Sequence, residues 1–195
     1  MIASDSGWIE LPGINWKPSP NHNERPAGVA IDLLVIHNIS LPPGQFGTGY
    51  ACDLFLNKLD ISLDPWFENI RDLKVSSHFL IERDGQVTQF VSCDKRAWHA
   101  GASFFCEREG CNDFSIGVEL EGTDTVPFTN AQYDQLVALT RTLRLVYPLA
   151  HVRGHSDIAP TRKTDPGPCF DWQRYAKAAG WQPEQLPAPI NGTSP

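Results

Sequence analysis

The chain has 195 residues, 41% of them hydrophobic and 20% charged, with a formal net charge of −7. That length suits one domain with its own hydrophobic core, and the composition excludes collagen-like, low-complexity and disordered chains. The acidic balance lacks the concentrated positive charge that phosphate contacts need, so no nucleic-acid partner is expected, and no apolar stretch is long enough to span a bilayer.

The N-terminal segment MIASDSGWIELPGINW has no basic stretch leading into an apolar one and does not read as a signal peptide. The first 28 residues carry no periodicity and read as an arm or a loop-rich edge. Val29 to Ile36 is mostly apolar and bounded by turn formers, which predicts a strand with His37 at its end. Ala51 to Leu59 reads as a short helix. His78 to Arg83 alternates, Asp84-Gly85 supplies a turn, and Val87, Gln89 and Val91 continue, which together predict a hairpin. Lys95 to Asn112 has no regular period and reads as a long functional loop.

Ser115 to Leu120 predicts a further strand, with Gly117, Glu119 and Glu121 on one face. Thr129 opens the strongest helix, with Gln132 placed to complete a capping box. Tyr133, Leu136, Val137, Thr140, Leu143 and Val146 recur at helical spacing, and Pro148 closes the helix. A short strand around His151 to Arg153 leads into a loop beginning at Gly154. A last helix, Trp172 to Ala179, ends at Gly180. The expected architecture is a single α/β domain over residues 1–195, a central mixed β-sheet flanked by α-helices. Its core spans about 16–180, and the Pro-rich tail 182–195 is expected to be loose.

Five cysteines, Cys52, Cys93, Cys106, Cys111 and Cys169, form neither a disulfide framework nor a C-x-x-C knuckle. Small buried thiols in a reducing cytoplasm are expected, and the protein is expected to be a monomer.

Sought as metal ligands, His37 after a strand and His155 and Asp165 in one loop stand out. Two imidazoles and a carboxylate suit a catalytic zinc with its fourth position open. Each taken alone reads more readily as a surface or structural residue. The loop Gly154 to Pro168 is fixed by prolines and glycines, and Lys163 lies two residues from Asp165, so in an extended segment both point the same way. A cation there would stabilise negative charge developing in a tetrahedral intermediate, although a lone Lys163 also reads as a surface lysine.

Taken together, His37 after a buried strand, the strand SIGVELEG from Ser115, and Gly154-His155 through Arg162-Lys163-Thr164-Asp165-Pro166-Gly167-Pro168 resemble the type 2 N-acetylmuramoyl-L-alanine amidases. These are relatives of the peptidoglycan recognition proteins, and the likeness is greatest to the members that act in cell-wall recycling. Asp94 to Gly101 and Arg108 through Phe114 are similar too, so the resemblance covers roughly Trp16 to Trp172. It implies zinc-dependent hydrolysis of the amide between (1,6-anhydro-)N-acetylmuramic acid and the L-alanine of muropeptides. It assigns one catalytic Zn2+ to His37, His155 and Asp165, the general base to Glu119, and the oxyanion partner to Lys163. Many relatives carry Cys where this chain has Asp165.

For muropeptide contacts the resemblance suggests Asn38, Arg71, Ala97, Trp98 and Arg108. Trp98 packs on either the sugar or the cleft floor, and arginines pair with stem-peptide carboxylates. Arg71, Arg108, Arg162 and Lys163 would supply the local positive charge that an acidic chain needs for such a ligand. Some relatives are exported and lipid-anchored, which the lack of a signal segment speaks against.

Two rival functions remain at this level: a muropeptide-binding module without catalysis, and a glycosidase working through Glu119 and Glu121. The lack of a G-x-S-x-G elbow speaks against a serine hydrolase.

Overall fold

The computed structural model describes residues 6–187. Among the described residues ten strands occur in chain order: β1 (Asn15–Trp16), β2 (His22–Glu24), β3 (Leu33–Ile39), β4 (Phe79–Ile81), β5 (Val87–Gln89), β6 (Lys95–Ala97), β7 (Phe104–Phe105), β8 (Arg108–Glu109), β9 (Ser115–Glu121) and β10 (His151–Gly154). Six of them build one sheet in the order β1-β5-β4-β9-β3-β10. Only the β4–β5 hairpin in that sheet is antiparallel, and its other neighbours pair in parallel. The four α-helices are α1 (Tyr50–Phe55), α2 (Asn130–Val146), α3 (His155–Ile158) and α4 (Trp172–Ala179). The expected mixed α/β sheet is the one formed.

Strand alternation divides the sheet into two faces. Leu34 and Ile36 of β3 and Ile116, Val118 and Leu120 of β9 pack with Leu136, Leu139 and Leu143 of α2 and with Tyr175 of α4. Each fully buried leucine there contributes about 1.5–3 kcal/mol relative to exposure. The intervening residues face the other way. Leu33 and Val35 join Ala100, Phe114 and Ile158 in a separate cluster, and beyond them on the same face come His37, Gly117 and Glu119.

Local signals placed α2 and α4 correctly. Thr129 caps α2 through its hydroxyl, which accepts from Gln132 N, while Gln132 Oε1 accepts from Thr129 N. The same glutamine donates to the carbonyls of Ile81 and Glu121 and so stitches α2 onto β4 and β9. Gly180 closes α4 with φ 76°, a conformation in which a Cβ would be strained.

Other boundaries differ from expectation. β3 begins at Leu33 and continues through His37 to Ile39, because Asn38 and Ile39 keep pairing with Leu120 and Glu121 of β9. His37 therefore lies inside a strand, not at its end. Helix α1 stops earlier than expected, with Asn57 in the left-handed region at φ 56°. The segment from Lys95 to Asn112 is not one loop: β6 pairs with β2, and β7 with β8, in strands too short to show a period. Gly154 opens the one-turn helix α3 and not a loop.

The packed body is also wider than 16–180. Ile9 is fully buried and Trp181 is 5% exposed. Residues 183–185 form a turn that Arg153 holds through the Gln185 carbonyl, while Gln185 Nε2 donates to Ala150 O. The rest of the expected loose tail, 188–195, lies outside the described residues. All five cysteines are free, with Cys52, Cys93 and Cys111 buried. No helix among the described residues is long and apolar enough to cross a membrane.

Candidate active site

The parallel pairing of β3 with β9 sets His37 directly beside Glu119. Pairing of β10 with β3 puts Gly154 next to Ile36, so the chain delivers His155, the first residue of α3, to the same sheet end. The loop that follows folds back, and Ser156 N donates to the Asp165 carbonyl at 2.9 Å. That bond returns Asp165 to the two histidines. His37 Nδ1 and His155 Nδ1 are 3.0 Å apart, and each is 3.1 Å from Asp165 Oδ2. These atoms form the group of described residues able to hold a metal ion.

Burial sets the charge states. His37 is 1% exposed, and desolvation lowers its pKa to about 4, so its ring is neutral near pH 7. Burial alone would raise the Asp165 carboxyl, but the facing imidazoles outweigh it and hold Asp165 below the usual carboxylate range. A neutral imidazole and an ionised carboxylate are the forms that coordinate a cation.

Glu119 has a different environment. Its Oε1 is 3.9 Å from His37 Nδ1, and its Oε2 is buried with no hydrogen-bond partner. Burial raises its pKa well above the ordinary value, the nearby Asp165 charge adds to this, and Lys163 opposes it. A carboxylate with one oxygen unengaged and a raised proton affinity is suited to taking up a proton. Lys163 lines the adjoining cleft and makes no ion pair among the described residues. Glu121 shares the face of Glu119, but its oxygens accept from Gly47 N and Arg83 N. Tied to backbone in this way, Glu121 is not free to pair with Glu119 across a sugar bond.

The cleft beside these groups measures about 580 Å³ and is lined by residues that include Asn38, Trp66, Asp124, Arg162, Lys163 and Asp165. Asn38 is held there by its amide, which donates to Asp124 Oδ1 and Pro166 O. The other expected contacts are placed differently. Ala97 is fully buried in the core around α1. Trp98 is outside the lining residues, its indole nitrogen donating to Asn23. Arg71 is exposed and paired with Glu68. Arg108 stacks on Phe114 and pairs with Asp32. Asp32 directly precedes β3. The cations on the cleft are Arg162 and Lys163.

Sequence reasoning assigned no role to the Ala100 carbonyl or to the side chain of Asn112. His155 Nε2 is 3.1 Å from the Ala100 carbonyl, which also accepts from Arg162 Nη2 at 2.7 Å. Asn112 Oδ1 in turn accepts from the backbone of both His99 and Ala100. A backbone carbonyl leaves no mark in a sequence, so nothing local could have revealed the first of these.

Two imidazoles and a carboxylate converge at the end of parallel strands, with a second carboxylate beside them, an arrangement suited to hydrolysis on an α/β scaffold. The family model described as N-acetylmuramoyl-L-alanine amidase matches residues 27–168. The chain is 54% identical over 173 residues to the 1,6-anhydro-N-acetylmuramyl-L-alanine amidase AmpD of Enterobacter cloacae, covering 88% of this chain and 91% of that one. It superposes with a TM-score of 0.86 on the crystal structure of a Se-Met AmpD derivative, at 51% identity, covering 91% of this chain and 98% of that one. A second solved relative is the Escherichia coli amidase AmiD in complex with anhydro-N-acetylmuramic acid-L-Ala-D-γ-Glu-L-Lys. Its TM-score is 0.57 at 31% identity, with 80% of this chain and 60% of that one covered. The chain belongs to the N-acetylmuramoyl-L-alanine amidase family and is an enzyme of that activity.

Proposed function

We propose that this amidase cleaves the bond between 1,6-anhydro-N-acetylmuramic acid and L-alanine in muropeptides during cell-wall recycling, acting as a cytoplasmic monomer with one Zn2+. The convergence of His37 Nδ1, His155 Nδ1 and Asp165 Oδ2 carries the reading. Their separations of 3.0–3.1 Å approach the edge of about 3.3 Å expected between ligands of a tetrahedral zinc. Three electron-rich atoms held this close call for a cation among them. Zinc bound by these residues supplies Lewis acidity and makes hydroxide available near neutral pH.

The remaining steps belong to the chain's own side chains. Glu119 Oε2, buried without a partner, accepts the proton of the attacking water and passes it to the leaving nitrogen of L-alanine. Lys163 stabilises the negative charge that develops on the carbonyl oxygen. Arg162 and Lys163 supply positive charge on the cleft for stem-peptide carboxylates, and Asn38 is the proposed polar contact on its wall. The sugar specificity is supported by the AmpD relative's activity and by the ligand in the AmiD complex. A cytoplasmic setting agrees with five unpaired cysteines.

The test is to incubate purified enzyme with anhydromuramyl tripeptide and with its reducing-sugar counterpart, with and without EDTA. Products are followed by mass spectrometry and metal content by elemental analysis. Release of free tripeptide from the anhydro substrate, abolished by EDTA and restored by Zn2+, is expected. Undiminished release in excess EDTA from metal-free protein would refute the proposal.

A further inference from the structure

Behind the three converging atoms lies a second row of groups that sets where the imidazole protons reside. A metal-binding histidine must present a bare nitrogen, so the proton on its other nitrogen has to be held by an acceptor. For His155 the acceptor is the Ala100 carbonyl, which can only accept. For His37 the partner is another imidazole: its Nε2 is 3.0 Å from Nδ1 of His99, 62 residues away in sequence. Either nitrogen of that pair could donate, so the direction has to come from farther back.

It follows from the next two contacts. The hydroxyl of Ser115 donates to the Cys111 carbonyl at 2.6 Å. With its proton committed, Ser115 Oγ accepts from His99 Nε2, 3.3 Å away. His99 is then protonated on Nε2 and offers a lone pair at Nδ1. His37 Nε2–H donates to that lone pair, and His37 Nδ1 is left bare toward His155 and Asp165.

The position of His99 is itself built. Its backbone N–H donates to Asn112 Oδ1, and its ring lies over Gly117. A Cβ at residue 117 would come within 2.5 Å of His99 Cγ and 2.6 Å of His99 Nδ1. Only glycine leaves this strand low enough for the ring.

We infer that His99 is a positioning residue that fixes the proton of His37 on Nε2 and keeps Nδ1 open for the metal. The inference rests on the zinc site proposed above. Because Ala100 serves His155 in the same way, one dipeptide sets the tautomers of both imidazoles.

The experiment compares Zn2+ affinity, by competition with a chromophoric chelator, in wild-type enzyme, His99→Phe and His99→Asn. Phenylalanine keeps a ring over Gly117 but removes the acceptor, whereas Asn returns an acceptor oxygen near the place of Nδ1. His99→Phe should bind Zn2+ about 10–100-fold more weakly, the usual cost of losing such a partner, and His99→Asn should recover most of that loss. The visible spectrum of the Co2+-loaded forms should change in His99→Phe and return toward wild type in His99→Asn. In Zn2+-loaded wild-type enzyme, long-range ¹⁵N–¹H spectra should place the His37 proton on Nε2, a measurement that does not require either variant to fold.

Equal Zn2+ affinity in wild type and His99→Phe would overturn the inference. So would failure of His99→Asn to improve on His99→Phe, or a His37 proton found on Nδ1. Wild-type enzyme that bound no Zn2+ would overturn the zinc site and this inference together, which distinguishes the two failures.

Discussion

Replacing Gly117 by Ala tests the packing beneath the site most sharply. The added methyl would lie 2.5–2.8 Å from three atoms of the His99 ring, and that ring is confined by His37 and His78, whose ring centroids are 5.0 and 5.6 Å away. Overpacking of this kind costs about 1–3 kcal/mol. Displacing His99 also leaves His37 Nε2 buried without its hydrogen-bond partner, about 1–3 kcal/mol more. Gly117 is not in the left-handed region, so Ala gains about 0.4–1 kcal/mol by restricting the unfolded chain. The balance is a destabilisation of about 3 kcal/mol, or roughly 6–12 °C in melting temperature for a chain of this size.

The assay is urea and thermal unfolding of metal-free protein, repeated in a His99→Ala background. With the ring removed, the three closest atoms are gone, and Gly117→Ala should become neutral or mildly stabilising there. A sign that depends on residue 99 isolates the pairwise clash. If Gly117→Ala stayed within about 0.5 kcal/mol of its parent in both backgrounds, the packing argument would be wrong.

Glu119→Gln preserves shape while removing the proton acceptor; it should retain Zn2+ and lose at least about 100-fold in kcat, and near-normal turnover would refute its role as base. The acid stability of metal-free protein should follow its buried histidines. His37 is lowered from 6.5 to about 4, and burial holds His78 and His99 well below their ordinary value. The folded state therefore binds fewer protons than the unfolded chain, so stability is full above about pH 6.5 and is lost as pH falls toward 4. His37 alone accounts for about 3 kcal/mol of this. Glu119, raised by burial, acts with the opposite sign and reduces the slope. Urea midpoints measured from pH 7.5 to pH 4.5 should fall, and a flat or rising profile would refute the charge assignment.

What was legible beforehand follows the range of the interactions concerned. The capping box of α2, the Gly180 end of α4 and the β4–β5 turn at Gly85 are each decided within a few residues, and each formed as read. The end of β3 was misplaced because its last residues are held by β9, which lies some eighty positions later. The resemblance put Arg108 among the muropeptide contacts, and in the fold it pairs with Asp32 and stacks on Phe114. Ala97 is buried and the Trp98 indole donates to Asn23, partners that no local pattern announces.

By itself, the amino-acid sequence determined the kind of chemistry available. It contained two histidines and an aspartate suited to one metal, a glutamate on a buried strand, and the alternation that sends Gly117 and Glu119 to one face. Only the tertiary structure decided which groups complete the site. It set Glu119 apart from Glu121 by tying the latter to backbone N–H groups, and it brought His99 to His37 and the Ala100 carbonyl to His155. Tautomer and proton affinity depend on neighbours within about 3 Å and on exclusion of water. In this chain those neighbours come from segments tens of residues apart, and only the folded sheet brings them together.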